Sequence, residues 1–468
     1  MLPTAPAKTY YETVSMCPAC AATVPGRVVG RPAGVFVARE CPDHGPFEGI
    51  VCSDVAWFEG LARFDVEPVK PVRPPGRTAR GCPEDCGLCP AHRQIAGTAA
   101  IEISNRCNAD CPVCLADNRR TFELSPEQVR SMIDAFLRTQ ETVDAVAVSG
   151  GEPTIHPRIF DILRVLDRPE IGRILLNSNG VRIANDDGFL DELARHRNVY
   201  VSLHFDGAGA RRLRGTGAEV QERALERLGR WGVAVAPLVL AAQGVNDGDL
   251  GRIVTSLLAR SSVRSVVLSM MCYAGANGSR FPGDPLTRLT IPAALDRIEE
   301  GSERRLRKRD FIPLPMPNPM CAAVGYFLTV GGEITPLIPM ADLDEVVRCL
   351  RNANFARVDE DIERLIRGTI DRIYSRPGEF PDAPRLLAKF RDLLSALFPE
   401  GRPLDAGRQR AVVEERVKTV YLMQFMDPWT FDSKRLCKCS CQHLLPDGRI
   451  VPSCGYYAYH RRFDARFR

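Results

Sequence analysis

The cysteines of this chain fall into short groups, and two of the groups share one spacing. Residues 107–114 read CNADCPVC and residues 82–89 read CPEDCGLC, so each is a C-x3-C-x2-C pattern. Three soft thiolates at this spacing suit an iron–sulfur cluster, and they leave one iron of a four-iron cluster open to a small molecule. We name the two groups the Cys107 triplet and the Cys82 triplet; their members are Cys107, Cys111 and Cys114, and Cys82, Cys86 and Cys89.

The Cys107 triplet has the better surroundings for chemistry. It directly follows residues 98–104, an alternating run that predicts a β-strand. The next predicted strand ends in Gly150-Gly151-Glu152, where glycines leave room for the charged groups of an amino acid to reach backbone N–H and C=O groups. The Cys82 triplet instead follows the proline-rich linker 65–81 and has no such partner. We therefore expect the Cys107 triplet to be the reactive one.

The remaining cysteines predict further metal sites. Two turns, Cys17-Pro-Ala-Cys20 and Cys41-Pro-Asp-His44, can place four ligands at tetrahedral corners around a single zinc or iron ion. In an alternative arrangement Cys52 replaces His44. The tail carries a last group of four, Cys437, Cys439, Cys441 and Cys454. We expect Cys272 and Cys349 to be ordinary thiols.

The elements that must position these groups alternate between short apolar strands and amphipathic helices from residue 98 to residue 271. Such repeated units predict an α/β fold with a parallel sheet, a partial or full (β/α) barrel, whose functional residues collect at the carboxyl ends of the strands. We expect a small metal-binding domain at 1–64, a linker with a cluster motif at 65–97, the barrel at 98–310 and a C-terminal auxiliary-cluster domain at 311–468.

Composition excludes several classes of protein. The chain has 468 residues, 45% of them hydrophobic, which excludes global disorder, and its net charge of +4 gives no sign of a basic face for nucleic acid. No apolar run approaches the length of a membrane span, and the N-terminus does not look like a secretory signal. We expect a cytoplasmic protein, where clustered cysteines bind metal more often than they form disulfides.

The Cys107 triplet, together with its preceding strand and the following Gly150-Gly151-Glu152-Pro153, resembles the radical SAM superfamily. The resemblance implies that the open iron binds S-adenosylmethionine (SAM). One electron then cleaves SAM to methionine and a 5′-deoxyadenosyl radical, which removes hydrogen from an unactivated C–H bond. It also implies that Gly150, Gly151 and Glu152 hold the methionine end of SAM, and that Asn179 and His204, at the next two strand ends, contact it.

Motifs along nearly the whole chain are similar to the tetraether lipid synthase family, whose members have also been described as methyltransferases of 7,8-dihydro-6-hydroxymethylpterin. They include the Cys17 and Cys41 turns, the stretch from Cys82 to His92, Pro319-Met-Cys321, and the tail from Cys441 to Cys454. The resemblance implies a mononuclear metal site, the SAM-binding [4Fe-4S] cluster and two auxiliary clusters. One auxiliary site would use the Cys82 triplet with Cys321, His92 or no fourth ligand, and the other would use the four tail cysteines.

The function implied by this family is C–C bond formation between unactivated sp3 carbons of lipid chains. An alternative is C-methylation or C–C bond formation on a pterin or another small natural product, and an alternative of another class is a non-catalytic metal-binding or electron-transfer module. As partners we expect an apolar substrate, an electron donor such as ferredoxin or flavodoxin, and no nucleic acid. The amphipathic helix predicted at residues 385–398 could touch a membrane or pack on the core.

Overall fold

The computed structural model describes residues 8–85, 87–116, 121–275, 277–330, 332–356, 360–380, 382–397, 399, 404, 406–464 and 466. The first unit is a four-stranded antiparallel sheet with its strands in chain order, followed by a short helix. Its elements are β1 (Lys8–Met16), β2 (Thr23–Arg31), β3 (Gly34–Cys41), β4 (Gly45–Cys52) and α1 (Val55–Gly60).

The next part of the chain alternates strands with helices. The strands are β5 (Thr98–Ser104), β6 (Ala145–Gly150), β7 (Ile174–Ser178), β8 (Val199–Leu203), β9 (Ala234–Val235), β10 (Leu238–Ala241) and β11 (Ser265–Met270). The helices are α2 (Pro126–Leu137), α3 (Ile159–Leu166), α4 (Asp187–Leu193), α5 (Ala210–Arg214), α6 (Ala218–Arg230), α7 (Leu250–Leu258) and α8 (Ile291–Gly301).

The C-terminal third is mixed. Its strands are β12 (Ile312–Pro313), β13 (Ala322–Val330), β14 (Glu333–Pro336), β15 (Val417–Met423), β16 (Cys441–Leu444) and β17 (Ile450–Pro452). Its helices are α9 (Leu343–Leu350), α10 (Glu360–Ser375), α11 (Ala383–Leu397), α12 (Ala406–Arg416), α13 (Ser433–Leu436) and α14 (Ser453–Ala458).

A barrel of parallel strands organises the molecule, as the sequence predicts. Strands β5 to β9 pair in parallel in chain order, and β10, β11 and β15 continue in parallel after a bridge between His204 and Leu238. The C-terminal third contributes directly to this wall, because β15 pairs with β11 and β16 pairs with β5, both in parallel. Antiparallel neighbours, β13 beside β15 and β17 beside β16, border the seam between the two ends of the wall.

Local sequence explains the barrel elements. Ser125 caps α2 by accepting from the backbone N–H of Gln128, and the Gln128 side chain accepts from the Ser125 N–H. Both N–H groups, which lack partners within the helix, are thereby satisfied.

The outward-facing side chains of the strands, such as Val146 and Leu268, are fully buried against the helices. The barrel therefore has its main core outside the strands and under the helices.

Helix α11 corresponds to the predicted amphipathic helix 385–398; residue 398 lies outside the described residues. Its apolar face packs inward, with Phe390, Leu393 and Leu397 buried against neighbouring helices and strands. Among the described residues, no helix combines the length and the apolarity that a membrane crossing requires.

The antiparallel unit is locked onto the barrel by a buried arginine. The Arg39 guanidinium donates to the carbonyls of Met16, Pro428 and Trp429 at 2.8–2.9 Å. A Cβ at Gly49 would lie 2.0 Å from the Trp429 oxygen, so only glycine permits this approach. The unit is thus a fixed part of the structure.

Candidate active site

The Cys107 triplet lies on the loop that leaves the carboxyl end of β5. The end of β6 is pressed against this loop, because the N–H groups of Gly151 and Glu152 donate to the carbonyls of Ser104 and Arg106 at 2.7 and 2.8 Å. Cβ atoms at Gly150 and Gly151 would each lie 2.0 Å from one of these oxygens. The glycine pair is therefore required for the two segments to meet.

The three thiols of this loop are half-buried. Burial raises the pKa of Cys107 and Cys114, and raises that of Cys111 to about 12; neighbouring thiols add to the rise at Cys107 and Cys111. Asn277, from the loop after β11, donates to the Cys111 carbonyl at 3.0 Å and steadies the loop. Three soft donors on one partly accessible loop fit the open four-iron cluster that the spacing predicts.

Glu152 and Asn179 lie beside this loop, but their side chains bind mainly to the protein itself. The buried Glu152 carboxylate accepts from the Thr154 hydroxyl at 2.6 Å, the Ser178 hydroxyl at 2.8 Å and the Asn179 N–H at 2.8 Å. The Asn179 amide donates to the side-chain oxygen of Asn108, inside the cysteine loop, at 2.7 Å. Both residues therefore hold the loop and two strand ends together. The backbone groups of Gly150 and Gly151 other than the Gly151 N–H, which already donates to the Ser104 carbonyl, remain the part suited to an amino-acid ligand.

His204 directly follows β8 at the same end of the barrel, within reach of the Arg214 charge. Burial and the Arg214 charge hold the pKa of His204 well below its usual value, so His204 is neutral; its Nδ1 is buried and has no hydrogen-bond partner among the described residues. Arg214 pairs with the buried Asp206 at 2.8 Å, and its charge opposes the effect of burial on the pKa of Cys111. Sequence reasoning missed this pair, although Asp206 directly follows a predicted strand.

A second missed cluster links the Cys107 triplet to the tail. Glu102, on the inner face of β5, accepts from Arg461 at 2.7 Å and from the hydroxyls of Tyr456 and Tyr457 at 3.3 and 3.1 Å. The Arg461 charge lowers the pKa of Cys114, and the Glu102 charge raises it. Burial raises the pKa of Tyr457, and Cys441 adds to that rise. The sequence offered one sign of this cluster, because Glu102 is a charged residue within an otherwise largely apolar strand. Its partners could not be identified, since they lie more than 350 residues away in the chain.

The N-terminal metal ligands come together as predicted. The ligand atoms of Cys17, Cys20, Cys41 and His44 all lie within 4.8 Å of one another, close enough for a single ion. Cys52 is not in this group; its thiol donates to the Asp54 carbonyl at 3.2 Å, and burial raises its pKa to about 11. The structure therefore favours His44 over the Cys52 alternative.

One contact between auxiliary cysteines joins the two expected sets. Cys437 contacts Cys82, and this thiol contact and burial raise the pKa of Cys437. His92, one candidate fourth ligand, instead directs its Nε2 at the Cys439 carbonyl and the Gln442 amide, both at 3.0 Å. The first auxiliary group therefore combines Cys82 and Cys437; Cys89 is half-buried on the same loop, and Cys86 lies outside the described residues.

The second auxiliary group lies at the seam of the barrel. Cys321 precedes β13, Cys441 begins β16 and Cys454 is the second residue of α14. Besides burial, Cys441 and Cys321 both raise the pKa of Cys439, and Cys439 and Cys321 both raise that of Cys454. Arg435 is buried and donates to the Cys321 sulfur at 3.4 Å, which favours a negatively charged ligand group there. Cys321 thus lies within electrostatic reach of Cys439 and Cys454, and these three cysteines with Cys441 are what we call the second auxiliary group.

Comparisons with known proteins agree with this site. Residues 101–257 match the model of the radical SAM superfamily, and residues 9–53 match the HMPTM N-terminal zinc ribbon domain. The 7,8-dihydro-6-hydroxymethylpterin dimethyltransferase of Methanocaldococcus jannaschii is 24% identical over 492 aligned positions, covering 96% of this chain and 94% of that protein.

Two further relatives share only part of the chain. The mycofactocin maturase MftC of Mycobacterium tuberculosis is 31% identical over 160 residues, which are 33% of this chain and 40% of that protein. The solved structure of Streptococcus suis SuiB bound to S-adenosylmethionine covers 44% of this chain and 46% of that chain, with 15% identity and a TM-score of 0.36. With its parallel barrel and N-terminal zinc ribbon, this chain is therefore an enzyme that carries a radical SAM domain over residues 101–257.

Proposed function

We propose that this enzyme forms a C–C bond between unactivated sp3 carbons of lipid chains. The observation that carries the proposal is the second auxiliary cysteine group at the barrel seam. Through Tyr457 and Glu102 it adjoins the same interior that the Cys107 triplet faces. Simple hydrogen abstraction needs one cluster, whereas coupling two carbons requires two successive abstractions beside one substrate site.

The groups to be bound are SAM, a [4Fe-4S] cluster on the Cys107 triplet, and auxiliary clusters on the two auxiliary groups. Together they would supply an electron and a 5′-deoxyadenosyl radical. The protein's own part is to bind and orient. The Gly150–Gly151 backbone accepts the methionine end, Asn179 fixes the cysteine loop, and neutral His204 faces the site. Glu102 and Arg461, paired in a buried position, would supply fixed charges beside the cluster.

The stoichiometry of the reaction tests the proposal. Two C–H bonds break and one C–C bond forms, so two SAM molecules and two electrons are consumed, and two 5′-deoxyadenosines and two methionines are released per bond. We expect this ratio when anaerobic, reduced enzyme is incubated with a dialkyl phospholipid. Deoxyadenosine release without any coupled chain, across diester and diether lipids, would contradict lipid coupling.

A second candidate is C-methylation or C–C bond formation on a pterin. Two observations favour it: the full-length similarity to a pterin dimethyltransferase, and the polar, partly exposed side chains of Ser149, Asn177 and Ser269 inside the barrel. Incubation with 7,8-dihydro-6-hydroxymethylpterin distinguishes the two. A methylated pterin, formed with no lipid product under the same conditions, would establish this candidate in place of lipid coupling.

The partners of the enzyme follow from this chemistry. We propose a ferredoxin or flavodoxin as electron donor, because the cluster requires single electrons of low potential. We propose the cytoplasm as its compartment, since none of the described cysteines forms a disulfide. Contact with a membrane surface would serve to collect a lipid substrate. The radical SAM domain over residues 101–257 argues against the alternative of a non-catalytic metal-binding module.

A further inference from the structure

The short helix α13 adjoins both auxiliary cysteine groups and carries a buried cation. Arg435, its third residue, is 1% exposed. The Nη2 of Arg435 donates to the Cys321 sulfur at 3.4 Å and to the Gln424 carbonyl at 3.2 Å. Cys437, of the first auxiliary group, directly follows the helix. The helix therefore places a positive charge against the second group while its end leads into the first.

Within the described part of the chain, the Arg435 guanidinium has no ion-pair partner, and its buried Nε and Nη1 have no hydrogen-bond acceptor. Asp432 acts on Arg435 electrostatically, but its carboxylate already accepts from the Tyr11 and Thr13 hydroxyls at 2.8 and 2.5 Å. A buried positive charge is costly unless an anion and hydrogen-bond acceptors compensate it. A negatively charged cluster on the second auxiliary group would provide both.

Contacts from the zinc ribbon fix the position of this charge. The Ser15 hydroxyl donates to the Phe431 carbonyl at 2.7 Å, and the Val14 N–H donates to the Ser433 hydroxyl at 3.2 Å. These bonds, with those of Asp432 to the same strand, tie β1 to the start of α13. Because the helix is held from this side, the guanidinium is oriented toward the cysteines before any cluster binds.

The two auxiliary groups lie in fields of different sign. In the first group, Asp432 adds to the raised pKa of Cys437, which a thiol contact and burial chiefly cause, and the cation that opposes it, Arg93, is exposed. In the second group, burial raises the pKa of Cys454, and the buried Arg435 opposes the rise. Water screens an exposed charge much more than a buried one. The second group therefore has the environment that better stabilises negative charge.

We propose that Arg435, through its charge and its Nε and Nη1 donors, raises the reduction potential of the second auxiliary cluster above that of the first. Reduction adds one electron, so the reduced cluster is more negative and is attracted more strongly to the cation. Hydrogen bonds to cluster sulfurs also tune the potential. One electron from the ferredoxin or flavodoxin donor would then reduce the second cluster and leave the first oxidised.

The inference rests on the auxiliary clusters of the proposed function, but it does not depend on which bond the enzyme forms. Redox titration of the full-length holoenzyme, followed by electron paramagnetic resonance, measures both potentials. The signal lost in Cys82→Ser belongs to the first cluster, and the signal lost in Cys454→Ser belongs to the second. Wild-type enzyme should show the higher potential for the second cluster.

Arg435→Gln removes the buried charge, and the matched control Lys434→Gln removes an exposed charge from the same helix. At the wild-type midpoint potential of the second cluster, we expect Arg435→Gln to lower its reduced-to-oxidised ratio at least about tenfold, a shift of about 59 mV for one electron. The first cluster in Arg435→Gln, and both clusters in Lys434→Gln, should stay within about twofold of the wild-type ratio.

Arg435→Lys keeps the charge and should keep a potential near that of the wild type. Iron and sulfide analysis shows whether each variant holds its clusters. If Arg435→Gln loses the second cluster, Arg435→Lys decides: a loaded cluster near the wild-type potential supports the inference, and an empty site overturns it.

The inference also fails if a loaded Arg435→Gln enzyme keeps the wild-type potential, if it shifts both clusters alike, or if the wild-type first cluster is reduced before the second. Potentials that change as expected, in an enzyme that never couples a chain, would uphold the inference and contradict the proposed function. A coupled product together with unchanged potentials would do the reverse.

Discussion

At the scale of single residues, the site depends on polar groups that are buried and fully partnered. The Glu152 carboxylate is the main example, because its hydrogen bonds connect the end of β6 with the residues that follow β7. Burial raises its pKa, while these donors oppose the rise. The residue thus acts by holding Asn179, and through it Asn108, against the cysteine loop.

Replacing Glu152 with glutamine should separate this positioning role from direct SAM binding. In Glu152→Gln the side chain carries an NH2 group, which points at groups that themselves donate hydrogen bonds, so at least one of these donors loses its acceptor. We therefore expect the free energy of unfolding to fall by about 1–3 kcal/mol and the KM for SAM to rise. Thermal unfolding and deoxyadenosine kinetics measure the two effects. The exposed Glu127→Gln on α2 is the control. A Glu152→Gln enzyme with wild-type stability and KM would contradict the role.

Cys111→Ala should abolish 5′-deoxyadenosine formation while the other metal sites stay loaded, because the cluster on this loop then has only two thiolates. Iron and sulfide analysis, together with chromatography of the SAM products, measures both outcomes. The control variant is Cys349→Ala, which changes a cysteine that belongs to none of the metal groups; it should cleave SAM as the wild type does. Retained SAM cleavage in Cys111→Ala would overturn the assignment of the triplet.

At the scale of elements, the zinc ribbon is a separate metal-binding unit that is docked firmly on the barrel domain. Two tight turns present its four ligands, and Arg39 and Gly49 dock the sheet on residues 428–429 of the barrel domain. A single ion with four protein ligands is closed to substrate, which is typical of structural metal sites. The metal should therefore support the fold of this unit.

Cys20→Ser in the full-length enzyme should remove one zinc or iron equivalent and leave acid-labile sulfide unchanged, because a single ion carries no sulfide. Elemental analysis against a sulfide assay checks this, with Cys52→Ser as a control that keeps the metal. A loss of sulfide together with the metal would show that the ribbon holds a cluster.

At the scale of the whole molecule, each auxiliary group is assembled from segments far apart in the chain. Cys82 contacts Cys437, and Arg435 donates to the Cys321 sulfur, because β15 and β16 return to opposite edges of the parallel wall and bring the tail to the seam. The cysteine groups thus join the barrel edges to the tail.

The division of ligands can be tested by double mutants. Cys82→Ser and Cys437→Ser should each reduce the same cluster, so the double variant should lose no more iron than either single variant. Cys437→Ser combined with Cys439→Ser should lose about the sum of the two single losses, because those ligands serve different sites. Additive loss for the first pair would contradict the grouping.

The sequence by itself determined the features whose parts are close in the chain. The Cys107 triplet, the Gly150–Gly151 pair, the ribbon turns and the alternation of strands and helices depend on local spacing and periodicity. Only the tertiary structure decided which distant groups meet: Cys437 with Cys82, Arg435 of the tail with Cys321, and Arg461 with Glu102. The physical reason is that such contacts depend on where β15, β16 and the tail return to the barrel. No local pattern encodes that return, and several cysteines offered chemically equivalent ligands.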